Sequence, residues 1–158
     1  MKKTKNAILS MMLLVLTCVL LTACAGVIEV RGKTFVYESV EINWGTASEE
    51  DKAGVYEEFL VSNENELLAV LKTRNGRNER TTTFDTDSTY TTVNKDNEVL
   101  DSGYYKQDSD KVILAETEEQ LSQEGNYILR ANEKGYQVSD MLNSELSIYA
   151  VYQYIVNN

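Results

Sequence analysis

From Arg80 to Val156 the chain repeats one pattern. Runs of Thr, Tyr, Val and Ile are interrupted about every ten residues by turns rich in Asn, Asp and Gly. Such spacing reads as consecutive antiparallel strands. They are predicted over residues 81–86, 89–94, 101–107, 111–116, 127–132, 136–142 and 146–156. The turns at 85–88, 95–98, 108–110 and 132–135 carry short polar side chains that tolerate left-handed backbone. Residues 117–125 are polar and acidic, a loop or a helical turn.

One more strand is predicted upstream, over residues 33–44. Phe35, Tyr37, Ser39, Glu41 and Asn43 fall on one face, with Val36, Val40, Ile42 and Trp44 on the other. Gly45 ends it. Ser48, followed by Glu49, Glu50 and Asp51, marks a helix start: the hydroxyl caps the free N–H of Asp51, and acids suit the positive end of the dipole. Tyr56, Phe59 and Leu60 are expected to face inward. A second start falls at Asn63, with Glu66 three residues on, and a stop at Asn75-Gly76. Two short helices, or one broken near residue 62, therefore follow the first strand. Trp44 is expected to pack beneath them rather than plug a barrel mouth.

The N-terminal segment is an address rather than part of the fold. Lys2, Lys3 and Lys5 precede a mostly apolar run from Ala7 to Leu21, and small residues follow, the three-part pattern of a secretory signal. An uncleaved signal-anchor helix is the competing reading. Cleavage between Ala23 and Cys24 removes three Lys and no acid, which takes the net charge from −10 to −13. Nucleic acid and anionic surfaces repel such a body. The expected division is a signal over 1–23, a linker over 24–31 and one domain over 32–158. With 158 residues and an apolar fraction of 42%, a real core forms without disulfide or metal. Cys18 lies in the signal, so the mature chain keeps one Cys and forms no internal disulfide.

Two resemblances enter here. The run Leu21-Thr22-Ala23-Cys24-Ala25-Gly26 resembles the lipobox of bacterial lipoproteins. That implies cleavage before Cys24, a diacylglycerol on its thiol and an acyl group such as palmitate on its amine. The protein would then sit on the extracytoplasmic face of the cell membrane, with the bilayer as a partner through its lipid.

The second resemblance covers most of residues 32–156. Gly32-Lys33-Thr34-Phe35 opens a strand, Phe84-Asp85-Thr86-Asp87-Ser88-Thr89-Tyr90 forms a hairpin, and Gly103-Tyr104-Tyr105 leads through Asp108-Ser109-Asp110 into Val112-Ile113-Leu114. This order resembles the lipocalin-like small barrels of bacterial lipoproteins, in which a Tyr-rich strand closes the sheet; Tyr149, Tyr152 and Tyr154 would lie on it. Ser88 stands where that group has a turn Gly, and Phe35 lies one residue beyond the usual aromatic. The resemblance implies a mainly β fold, an antiparallel barrel or half-barrel with one or two short helices inserted after the first strand. A META-like half-open sheet is the other form.

Chemistry in the sequence is sparse. The chain has no His, which sets aside Ser-His-Asp and Cys-His catalysis, His-ligated zinc and the imidazole switch. Asp85-x-Asp87-x-Thr89 starts like a calcium loop, but Tyr90 takes the place of its Gly and Asp96 that of its Glu, so a hairpin turn is expected. Glu116, Glu118, Glu119 and Glu124 read as a solvated acidic loop. No pair among the 25 acids is singled out for glycoside chemistry. Arg74, Arg77 and Arg80 form a basic patch of the kind that meets phosphate or carboxylate, but a solvated turn is the expectation.

Tyrosines remain. Tyr37, Tyr104, Tyr127, Tyr152 and Tyr154 are the candidate ligand-binding residues, lining a calyx with apolar walls and a few hydroxyls. A barrel filled by its own side chains is the alternative. The expected role is non-enzymatic, without cofactor or metal: binding a small apolar or amphipathic ligand in the barrel. The alternative is an interaction or inhibitor module for another envelope protein, favoured by any apolar patch from Phe59, Leu60, Leu67, Leu68 and Leu71. One fold hosts many functions, so the resemblance alone does not choose.

Overall fold

The computed structural model describes residues 26–158. The signal, the cleavage site at Ala23 and the lipidation site at Cys24 lie outside the described residues. Eight antiparallel strands close into a barrel in sequence order. They are β1 (Lys33–Asn43), β2 (Thr81–Phe84), β3 (Thr89–Val93), β4 (Val99–Asp108), β5 (Lys111–Ala115), β6 (Tyr127–Ala131), β7 (Gly135–Asn143) and β8 (Ile148–Val156). Strand β8 pairs with β1, so the sheet has no edge left to template another strand. The barrel form of the sequence reading holds, and the half-open form does not.

Every predicted strand is present, because the turns between them are written in side chains that stabilise left-handed backbone. Ser88, Asn97 and Ser109 all have positive φ. At the β2–β3 turn, Asp87 accepts from Thr89 N and from its hydroxyl at 3.1 and 2.6 Å. Ser88 thus takes the conformation for which Gly is preferred, and Asp87 is committed to the hairpin. The 117–125 stretch carries a 3-10 turn over Glu118–Ser122.

Two helices follow β1, as expected: α1 (Glu49–Glu58) and α2 (Glu64–Thr73). The Ser48–Asp51 capping box forms, with the hydroxyl accepting from Asp51 N at 3.2 Å and the carboxylate accepting from Ser48 N at 2.8 Å. Asn63 caps α2 through Glu66 N at 3.1 Å. Past α2, Asn75 and Gly76 both turn left-handed inside the 3-10 segment Arg74–Glu79. Val55, Leu67 and Leu71 are the buried helical residues. Leu60, expected inside, is 93% exposed: it sits at positive φ just past the end of α1, where the chain swings its side chain away from the core. Trp44 packs edge-on against Tyr56 at 5.7 Å and donates to Glu64 at 3.1 Å, so it lies beneath the helices and plugs no mouth.

Strand β1 departs from the expected alternation. Tyr37 pairs with Tyr154 and Ser39 with Gln153, which leaves Glu38 as an extra residue. This bulge flips the side on which later side chains point. Phe35 and Tyr37 therefore share the inner face with Val40 and Ile42, all packed on the core. Both apolar halves of the strand are used.

The two mouths of the barrel are closed by different segments. At the near mouth, where β1 begins, residues 26–31 cross the opening. Val30 is fully buried. Its N–H donates to the Gln107 side chain at 2.9 Å, Gln107 donates to Ile28 O at 2.8 Å, and Ile28 N donates to Asn132 O at 3.0 Å. At the far mouth, where β1 ends, the helices and the Arg74–Glu79 segment fold over as a cap. Tyr152 and Tyr154 hold it by donating to Leu71 O and Arg77 O at 3.2 and 3.1 Å.

Candidate functional site

Aromatic rings occupy the lumen between the mouths. Phe84 lies at the centre, edge-on to Tyr105 at 4.9 Å, Phe35 at 5.7 Å and Tyr136 at 5.8 Å. Tyr136 stacks on Tyr154 at 5.0 Å, and Tyr154 meets Tyr37 edge-on at 6.1 Å. Edge-to-face and offset packing of this kind fills space at favourable ring geometry. Two glycines make it possible. A Cβ on Gly103 would collide with the Ala115 carbonyl and press on Tyr90, and one on Gly135 would strike the Tyr154 carbonyl. Only hydrogen fits where strand and ring approach so closely.

Of the five tyrosines proposed to line a calyx, three are gathered inside, Tyr127 meets Tyr154 at the far-mouth cavity from the rim, and Tyr104 stands apart. Tyr152 and Tyr154 are buried, and Tyr37 is half-buried beside Tyr154. The hydroxyls of Tyr152 and Tyr154 are committed to the cap. Tyr104 flanks inward-facing Tyr105 on β4, so strand alternation turns it to the outside of the barrel. Tyr127 stands at the rim of the far mouth, 49% exposed. The rings at the centre, Phe35, Phe84, Tyr105 and Tyr136, are not among those five. The inward parity of Tyr105 against Tyr104 was available as a signal once the Asp108–Asp110 turn was placed.

Among the described residues a small cavity of about 60 Å³, partly open to solvent, lies under the cap at the far mouth. Arg77, Arg80, Thr82, Thr92, Tyr127 and Tyr136 line it, with Asp101, Tyr154 and the apolar walls of Leu114, Leu129 and Val138. Arg77 and Arg80, read from sequence as a solvated turn, are instead drawn over the barrel end. The local sequence cannot show this, because the 3-10 segment that carries Arg77 and leads into Arg80 is positioned by the helices packing on the sheet. Arg77 pairs with Asp140 at 2.6 Å, and its guanidinium lies over the Tyr152 ring at 5.1 Å. Arg80 donates to Asn75 O at 2.9 Å. Both Nε–H groups are buried without a partner.

Electrostatics in this cluster follow from burial. Burial works against the Arg77 charge, but Asp140 and the neighbouring tyrosines outweigh it, and the pKa is raised. Burial pushes the hydroxyls of Tyr127, Tyr136 and Tyr154 up as well, with Arg77 pulling back on each. Tyr152 is pushed up to about 12 by burial. These hydroxyls stay protonated at neutral pH, and those of Tyr152 and Tyr154 donate to backbone carbonyls of the cap. Elsewhere, an open groove of about 450 Å³ flanks the near mouth beside Glu29, Arg31 and Lys106. Arg31 already donates there to Thr86 O at 2.9 Å. Among the described residues no three metal-ligating side chains converge, including the acidic set at 116–124, and no helix is long and apolar enough to cross a membrane.

No family model, curated protein or solved structure matches the chain.

Proposed function

We propose that this chain is an envelope lipoprotein, tethered through lipid on Cys24 at the extracytoplasmic face of the membrane, whose barrel acts as a non-enzymatic interaction module. The observation that carries the second half is the filled lumen. Phe35, Phe84, Tyr105, Tyr136 and Tyr154 meet in the middle, and the gap left is about 60 Å³. An apolar ligand of ordinary size needs several hundred Å³. The calyx reading would therefore require the aromatic cluster to open. Protonated, hydrogen-bonded tyrosines and the lack of His speak for binding over nucleophilic chemistry.

The tether reading rests on the basic start, the apolar run and the placement of Cys24. The strap at the near mouth is consistent with it, since only a few residues separate Cys24 from buried Val30. A lipid on Cys24 would bring that mouth close to the bilayer and leave the helical cap facing away.

Feeding cells an alkyne-bearing fatty acid tests the tether: label is expected on the wild type and lost in Cys24→Ala. Native mass spectrometry of the protein extracted in mild detergent tests the barrel. A clean mass, with no thermal shift from a panel of lipids and apolar dyes, is expected. A saturable apolar adduct displaced by the panel would restore the ligand-binding calyx and overturn the filled-module reading.

A further inference from the structure

The chain leaves the barrel over one particular wall. Ile28 N donates to Asn132 O, just past β6, and Ile28 O accepts from the Gln107 side chain on β4 at 2.8 Å. Val27, one residue further out and 42% exposed, lines the open near-mouth groove with Lys106 and Ser109. Cys24 is three residues beyond it, so roughly 11 Å of extended chain separates a lipid there from the foot of β4, β5 and β6.

The outer surface of these three strands mixes bases with apolar side chains. Tyr105, Val112, Leu114 and Leu129 point into the core, so alternation turns Tyr104, Lys106, Lys111, Ile113, Ile128 and Arg130 outward. The register sets them side by side: Lys106 opposite Ile113, Ile113 opposite Ile128, and Lys111 opposite Arg130. Ile128 is 47% exposed, and the three bases are exposed as well. Asp110 pairs with Arg130 at 2.8 Å and Asp108 stands opposite Lys111 in register. Among the described residues Lys106 and Lys111 make no ion pair. Elsewhere round the near mouth charges cancel or run the other way. Asp85 and Asp87 on the β2–β3 turn balance Arg31 and Lys33, and the groove across β7, β8 and β1 is lined by Glu38, Glu41 and Glu133 with Lys134 alone against them.

Unpaired ammonium groups beside exposed isoleucines suit a phospholipid surface. Each Lys or Arg near anionic headgroups is worth about fivefold in affinity, and the apolar side chains enter the interface. A free acidic protein could also meet the lysines, but a short tether delivers the bilayer to this wall at an effective concentration that a free partner does not match.

We propose that the outer wall of β4, β5 and β6 is a membrane-docking face, on which the tethered barrel lies with Lys106, Lys111, Ile113 and Ile128 against anionic phospholipid headgroups. The proposal rests on the tether at Cys24. This posture keeps the acidic groove of β7, β8 and β1 off the lipid.

Isoleucine δ1-methyl groups report the posture without any substitution. The full-length protein, methyl-labelled and extracted in mild detergent, is placed in nanodiscs of phosphatidylcholine and phosphatidylglycerol in equal parts with a trace of gadolinium-chelating lipid. Ile113 and Ile128 should be broadened most. Ile155, near the same mouth but on β8, should be broadened several times less, and Ile42 and Ile148, at the far mouth, least. Lys106→Gln combined with Lys111→Gln should bring Ile128 close to the level of Ile155, as should discs of phosphatidylcholine alone. An alkyne fatty acid on Cys24, read on the same material, reports the tether separately. With Cys24 labelled, equal broadening of Ile128 and Ile155, or broadening of Ile128 that ignores both the lysine substitutions and the lipid charge, would overturn the docking and leave the tether standing. An unlabelled Cys24 overturns the tether, and the docking with it.

Discussion

At the near mouth the barrel is closed by one apolar side chain, Val30, and a run of hydrogen bonds from Gln107, Ile28 and Asn132. At the far mouth it is closed by a helical cap resting on tyrosine hydroxyls, an Arg77–Asp140 pair and Arg80, which donates to Asn75 O. The near closure is apolar with its backbone groups paired to Gln107 and Asn132. The far closure keeps charge and unused donors inside. The two closures thus differ in polarity more than in size, and the larger near-mouth groove is open surface.

If the near mouth is a seal, a charge placed in it should do the most damage. Val30→Asp buries an unpaired carboxylate and is expected to cost about 3–5 kcal/mol in urea unfolding at neutral pH. A loss below about 1 kcal/mol would mean that residues 26–31 lift off easily and that the seal is weak. At the far mouth, Asp140→Ala strips Arg77 of its counter-charge. Because this pair keeps some solvent access, at 14% and 24% side-chain exposure, the expected loss is smaller, about 1–3 kcal/mol. Pairing Asp140→Leu with Arg77→Met should recover most of it, and a double-mutant cycle reads the coupling.

Alkaline titration sharpens the comparison without mutation. Tyr152 has a folded pKa of about 12 against an ordinary 10.0, so the folded form holds its proton longer than the unfolded one. Its contribution is complete below the unfolded value and is lost as pH climbs towards the folded one. A stability loss of about 1 kcal/mol by about pH 11 is expected, and Tyr152→Phe should flatten that slope. A slope unchanged in Tyr152→Phe would place the titration elsewhere in the cluster. The smallest effect belongs to the exposed Arg130–Asp110 pair, whose side chains are 53% and 46% accessible. Arg130→Ala should change stability by about 0.5 kcal/mol or less. A larger loss would show that exposure is a poor guide to what ion pairs do in this barrel.

The amino-acid sequence by itself determined the succession of eight strands and two helices, because the information for it is local. Asp87 fixes its hairpin through Thr89 two residues away, and Ser48 and Asn63 start their helices through residues three positions on. Polar turn residues punctuating β-branched runs carry the rest. What spans the molecule was decided only by the tertiary structure. The extra residue at Glu38 is visible only against its partner strand, and it turns Val40 and Ile42 inward where simple alternation sends them opposite to Phe35. Val30 becomes a stopper because Gln107, far along the chain, reaches back to it. Arg77 and Arg80 leave solvent because two helices settle on the end of a closed sheet, and Leu60 stays out because the helix ends just before it. Each outcome depends on partners distant in sequence, whose positions follow from closing the barrel around rings that fill it.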